Sequence, residues 1–294
     1  MLVRDIIDRT FSQWLYPSGV NHPAYDILSS AINDSTLTIP LEGRIPAIPG
    51  NAILEIDSEL ILLEDVVGGV HANERGYLDS GPATHTIGTR VAVNPEFSRL
   101  LVFNTLCDLI GDLYGAGVYQ RVLDDTLTYT ACDTIELPVG TLQLLKATVM
   151  LTGLGVSLPR TLRPERGQYE VYTEFDPPLM RCYGGGSEGC QLVVAVAQDF
   201  VKPTAETDDL STVCLLPSAL IPHLPAGIAG TIMQSREIPR AVIEEIKRLL
   251  AVQGVQVGTA LNVGTALLNL YARYVDAERR RLEQLDPTQV QLTH

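Results

Sequence analysis

The sequence predicts an α+β protein: a small N-terminal β-unit with helices, a β-rich middle domain built as a sandwich or barrel, and C-terminal helices with a long final helix. Short β-prone runs recur between Pro and Gly signals from residue 126 to 213. Apolar residues return at helical spacing near both ends of the chain. Hydrophobic residues make up 46% against 19% charged, enough to build cores and too little charge for a disordered chain. A length of 294 residues exceeds one ordinary domain, and the pattern divides as 1–120, 121–214 and 215–294.

The first segment spaces Ile6, Ile7, Phe11 and Trp14 as one helical face, and Asp5 and Asp8 suit the positive end of the helix dipole. Pro17, Gly19 and Pro23 end it, and residues 25–32 are expected to add a helical turn. From Ser35 the pattern turns to β: a strand in STLTIPL, then a hairpin about the Asp57-Ser58 break. Gly76, Gly81 and Gly88 permit tight reversals before a closing strand from Thr89 to Val93. Asn94-Pro95-Glu96 predicts a helix start, with Asn94 as cap, and the helix runs to about Tyr114.

In the middle region TLTYTA, TIELP, LQLLKATVML, YEVYTEF, LMRCY and CQLVVAVAQDFV are strands, and residues 202–209 form an exposed acidic loop. Beyond Leu215 the chain turns helical, with an apolar face over Pro239 to Val252 and a final helix from Gly258 to Leu285. That last helix would span on the order of 40 Å. Its first half lacks charge and its second half, DAERRRLEQL, is strongly charged, so it is expected to leave a packed environment for a wet or partner-facing one.

Charge excludes some classes of function. With 35 acidic and 21 basic residues the net charge is -14, and such a surface repels a phosphate backbone. The N-terminus breaks its apolar residues with Asp5, Asp8 and Arg9, which fits neither a signal peptide nor a membrane span. The cysteines (Cys107, Cys132, Cys182, Cys190, Cys214) show no CxxC spacing, so they are expected as buried thiols.

The sharpest catalytic pattern is Gly185-Gly186-Ser187-Glu188-Gly189, which matches G-x-S-x-G. A nucleophile elbow needs a helix after the serine, and here β-like CQLVVAVAQDF follows, so a hairpin loop is expected instead. The histidines (His22, His71, His85, His223, His294) are dispersed without metal-ligand spacing, although His71 and His85 flank the RGY segment and are candidates to meet. No phosphate-cradling GxxxxGK[ST] loop exists. The expectation is a non-enzyme without cofactor, metal or catalytic residues. The one basic cluster, Arg279-Arg280-Arg281, follows Tyr271 and Tyr274 and precedes Leu282 on the final helix. Tyr and Arg are the residue types enriched at interface hot spots, and these six residues are the candidate partner interface; acidic neighbours pairing with the arginines give the plainer account.

The stretch from Glu59 to Asn94 carries ELILLEDV, then Glu74-Arg75-Gly76-Tyr77, Ala83-Thr84-His85, Gly88-Thr89 and Val91. This order resembles a pattern of tailed-bacteriophage neck and tail-associated proteins, and the later order of elements resembles head-to-tail connector (neck adaptor) proteins. Asp79-Ser80-Gly81-Pro82 departs from it, standing where a glycine-threonine turn is usual. The resemblance implies a structural virion protein, assembled in the host cytoplasm, forming a homo-oligomeric ring of about twelve copies in the neck. It implies portal protein above, a stopper or tail protein below, and DNA passing through the lumen without specific contact. A stopper or tail-completion role in the same neck is the near alternative. A carbohydrate- or receptor-binding virion protein is the alternative of another class, with Tyr169, Tyr172 and Tyr183 as its aromatic surface.

Overall fold

The protein is described here by a computed structural model covering residues 1–17, 23–64, 70–131, 133–153, 156–163, 166–235, 246 and 260–285. It is an α+β chain with two compact units. Unit one holds Met1–Leu109, Pro203–Asp209 and Ile221–Ala272; unit two holds Ile110–Lys202, Leu210–Leu220 and Arg273–His294.

Unit one opens with α1 (Val3–Thr10), which buries Val3, Ile6, Ile7 and Thr10 and continues as a π-helical turn over Phe11–Leu15. Its sheet is formed by β1 (Ala24–Ile27), β2 (Ile53–Ile56), β3 (Glu59–Leu63), β4 (Ala72–Arg75) and β5 (Arg90–Val93), ordered β1-β5-β2-β3-β4 and antiparallel throughout. Strand alternation sorts the two faces. Leu54, Ile56, Ile61, Leu63, Val91 and Val93 fill one core with Leu28, Ile32 and Ile39. The register sets Tyr25, Ala92, Glu55 and Leu60 in a row on the other face. Beyond β5 comes α2 (Arg99–Asp112).

Unit two carries β6 (Gln120–Thr128), β7 (Thr134–Glu136), β8 (Thr141–Gly153), β9 (Val156–Thr161), β10 (Tyr169–Tyr172), β11 (Leu179–Cys182) and β12 (Gln191–Gln198). They make a four-stranded sheet, β6-β12-β8-β9, and a three-stranded one, β10-β11-β7. Ala147, Val149, Leu192, Val194 and Val196 from the first share one core with Ile135, Met180 and Cys182 from the second. The expected β-rich domain is therefore a sandwich.

Helices α3 (Leu224–Ser235) and α4 (Ala260–Leu285) follow. In unit one they approach closely because glycines face each other: a Cβ on Gly230 would lie 3.0 Å from the Gly264 carbonyl oxygen.

Several local expectations are corrected. Residues 24–27 are strand, not helix, since Tyr25 and Asp26 pair with Ala92 and Val91. The STLTIPL segment forms no strand and makes two isolated bridges, Thr38 to His71 and Leu41 to Leu28. Asn94 does not cap a helix; at φ 45 its Oδ1 accepts the Ile53 N–H at 2.8 Å, closing the β2–β5 pairing. The cap of α2 is Ser98, whose Oγ accepts the Leu101 N–H at 3.1 Å. The loop around Ser187 is no hairpin, because β11 and β12 belong to different sheets. Residues 202–209 do form a largely exposed loop, and it is anchored at one side, where the Val3 and Arg4 N–H groups donate to the Asp208 and Glu206 carbonyls. The charged half of α4 is not wholly wet, since Tyr271, Val275, Glu278 and Leu282 repeat at helical spacing as one buried face. The helix expected over Pro239 to Val252 lies, apart from helical Ile246, outside the described residues.

Candidate functional site

Two groupings of charged side chains lie on the sheet of unit one. On its core face, Glu59 and Arg75 share that side of the pleat and meet at 2.6 Å (Nε to Oε1) and 2.9 Å (Nη2 to Oε2). The remaining Arg75 donors reach the carbonyls of Asn33, Thr36 and Ala83, so the guanidinium is saturated. Glu59 also accepts from the Gly76 and Ala83 N–H groups and from His85 Nε2 at 2.8 Å. The other ring nitrogen, His85 Nδ1, faces Asp57 Oδ2 at 2.9 Å.

Burial pulls the Glu59 pKa upward, but Arg75, His85 and the Ala83 N–H overcome it and hold it at about 2. Burial likewise opposes charge on His85, and the carboxylates of Asp57 and Glu59 override it, raising the imidazole to about 9. A ring with a carboxylate at each nitrogen has an acceptor for two protons, so the imidazolium is the form that fits. Every Arg75 donor, both His85 ring nitrogens and both Glu59 oxygens are engaged, which makes this a clamp fixing residues 76–85 against the β2–β3 hairpin. Gly76 is required at φ 66, where a Cβ would stand 2.8 Å from Pro82 Cδ.

The opposite face floors a cleft of about 450 Å³ lined by Phe11, Tyr16, Tyr25, Glu55, Arg90 and Arg99 among others. Glu55 is 6% exposed; its Oε1 accepts the Arg99 N–H at the start of α2. Burial pushes this carboxyl up to about 8, against the pull of that N–H and of the Arg99 charge. The Arg99 guanidinium is itself bound to Glu206 at 2.6 Å and Asp8 at 2.7 Å. Phe11 and Tyr16 stack at 5.6 Å, and Tyr16 accepts the Phe97 N–H at 3.0 Å while burial holds its phenol at about 12. Arg90 lies over the Tyr25 ring, 3.4 Å from its centre, and no carboxylate pairs with it among the described residues.

The predicted interface residues on α4 separate into two groups. Tyr271 and Leu282 are buried at 8% and 2% exposure, so neither offers a surface to a partner. Tyr274 and Arg280 are exposed, as is Arg281, although its guanidinium is held by Glu278 at 2.6 Å. Arg279 bonds Asp276 at 3.1 Å and lays its chain on Gly117. The plainer account, arginines paired along a helix, thus describes Arg279 and Arg281.

His71 and His85 do not meet: His71 Nδ1 lies 3.3 Å from Thr38 Oγ1, while His85 is taken by the clamp. Cys182 and Cys190 are free thiols. Ser187 has no helix after it; the Cys190 N–H closes a turn on its carbonyl and strand follows at Gln191. Among the described residues no His, Cys, Asp or Glu cluster has metal-binding geometry, and no helix is long and apolar enough to cross a membrane.

Sequence reasoning did not single out Glu55, Glu59 or Arg90. The signal of Glu55 and Glu59 is a charge in apolar strand runs, LEI and SELILL, which requires a buried partner that the sequence does not locate; Arg90 is exposed at the start of its strand.

No family model matches the chain, and no curated protein or solved structure matches it.

Proposed function

We propose that this chain is a structural component of a tailed-phage neck: a head-to-tail adaptor that forms a ring under the portal, passes DNA and joins the tail. The observation that carries the reading is the clamp. Five of the residues through which the sequence resembles phage neck and tail-associated proteins, Glu59, Arg75, Gly76, Ala83 and His85, are bonded together at a single buried joint. Pattern residues that meet in one joint support a shared scaffold better than scattered single matches would. The net charge of -14 also suits a channel past which DNA slides, since repeated acidic subunits give phosphates nothing to grip. A stopper or tail-completion role uses the same features.

The test is native mass spectrometry with negative-stain imaging of the full chain, alone and with isolated portal rings. Rings, or monomers that become rings on the portal, are the expected result. Monomers indifferent to portal would overturn it. Docking through α4 is tested by Tyr274→Ala and Arg280→Glu, which spare the buried Tyr271 and Leu282.

A second reading has its own observation. On the outer face of the sandwich the Tyr172 and Tyr183 hydroxyls both donate to Glu170 Oε2 at 2.7 Å, and the Arg181 guanidinium lies 5.5 Å from the centre of the Tyr183 ring. Aromatic faces beside fixed polar groups suit a sugar ring. Glycan-array binding that is lost in Tyr183→Ala, by a protein that ignores portal, would move a receptor-binding role to the front.

A further inference from the structure

The loop that the clamp fixes ends in an exposed tip. Leu78 and Asp79 adopt left-handed φ values of 55 and 60, a region that leucine avoids, between Gly76 at φ 66 and Gly81 at φ 72. Bonds on both flanks hold the tip there: Gly76 and Ala83 to Glu59, and the Leu60 N–H to Ser80 Oγ at 2.9 Å. Leu78 is 61% exposed at this tip, and Asp79 beside it makes no hydrogen bond or ion pair among the described residues.

The cleft on the other face has the reverse character. Its floor is β1, β5 and β2, whereas the tip leaves β4, the outer strand at the opposite edge of the sheet. Its apolar wall is the rings of Phe11, Tyr16 and Tyr25. Of its charges, Arg99 is taken by Glu206 and Asp8, Asp57 by His85, Glu55 by the start of α2, and Arg4 leans on Asp5 at 4.0 Å. Arg90 is left with only a tyrosine face. One apolar side chain beside one unpaired carboxylate is the complement of three rings beside one unpaired guanidinium.

We propose that copies of this chain join head to tail, the Leu78–Asp79 tip of one entering the aromatic cleft of the next and pairing Asp79 with Arg90. The proposal rests on the ring reading above and names its contact. Because tip and cleft are different patches, every open chain of joined copies keeps a free tip at one end and a free cleft at the other; such heterologous contact closes into a ring when the rotation between neighbours allows. Copies each carrying a net charge of -14 repel at long range, so a local pair of opposite sign also fixes which faces meet.

The test uses the full chain and two charge reversals, Asp79→Arg and Arg90→Asp, followed by sedimentation velocity and native mass spectrometry, alone and on portal rings. Each variant by itself sets like charges together and is expected to associate at least about tenfold more weakly than wild type. An equimolar mixture of the two is expected to regain assembly. The reversed tip of the first variant then meets the reversed cleft of the second, and the unaltered Asp79 of the second meets the unaltered Arg90 of the first. Circular dichroism and melting show that each variant is folded. Wild-type rings with unaffected variants, or a folded mixture that stays dispersed, would overturn the tip-and-cleft contact and leave the ring reading standing. Wild type that never assembles would overturn both. Wild type that assembles only with another protein bound in the cleft would assign the cleft to that partner instead.

Discussion

Arg75 grips Glu59 through two parallel hydrogen bonds, with the two side chains 5% and 1% exposed. Removing one partner strands a buried charge, which typically costs about 3–5 kcal/mol. Arg75→Ala is expected to lower unit-one stability by that order, and Arg75→Lys to recover little, because an ammonium cannot form the fork or reach three carbonyls at once. Urea denaturation checks both, and a loss under about 1 kcal/mol for Arg75→Ala would refute the clamp.

Stability of unit one should fall toward alkaline pH. His85 is raised from 6.5 to about 9 in the fold, so its contribution is complete below pH 6.5 and is lost as pH rises through about 9. Denaturation midpoints between pH 8 and 10, above the range in which Glu55 titrates, should decline in wild type and flatten in His85→Asn, which cannot titrate.

On the acid side Glu59 acts with opposite sign. Its pKa falls from 4.5 to about 2, so its contribution is present above pH 4.5 and is lost as pH drops through about 2. Glu55 is raised from 4.5 to about 8, so stability is fullest below pH 4.5 and declines up to about pH 8. Glu55→Gln should remove that second decline while leaving the acid limb unchanged, as midpoints from pH 3 to 8 would reveal.

Gly230 and Gly264 let α3 and α4 approach, and a Cβ on Gly230 would also meet Leu268 Cγ at 2.9 Å. Alanine gains up to about 1 kcal/mol in helix propensity, yet the bulkier Gly230→Val must part the helices and should destabilise by about 1–3 kcal/mol. Thermal melting measures it.

In the sandwich, Gly186 backs onto the buried Tyr129 ring, 3.0 Å from where a Cβ would stand. Gly186→Val should therefore lower the melting temperature, whereas Ser187→Ala should leave both stability and reactivity toward ester substrates unchanged. Ester hydrolysis lost in Ser187→Ala would restore the catalytic reading of the glycine loop.

The hairpin about Asp57-Ser58, the closing strand ending at Val93, the β-runs of the sandwich and the core positions of α1 were legible because local periodicity and turn chemistry specify them. Residues 24–27 were misassigned because AYDI has no strong local preference and becomes strand only by pairing with β5. Asn94 shows the same limit: its side chain suits a helix cap, but the Ile53 N–H, distant in sequence, claims it. The clamp lies between these cases. Glu59, Arg75 and His85 stood in the resemblance pattern or beside its strand, yet nothing local said that they touch. What the sequence determined by itself was the alternation of elements and the fold class, since these follow from spacing along the chain. Tertiary structure alone decided which charges are buried and paired, and which face of α4 is hidden, because desolvation and ion pairing depend on neighbours brought together only by folding.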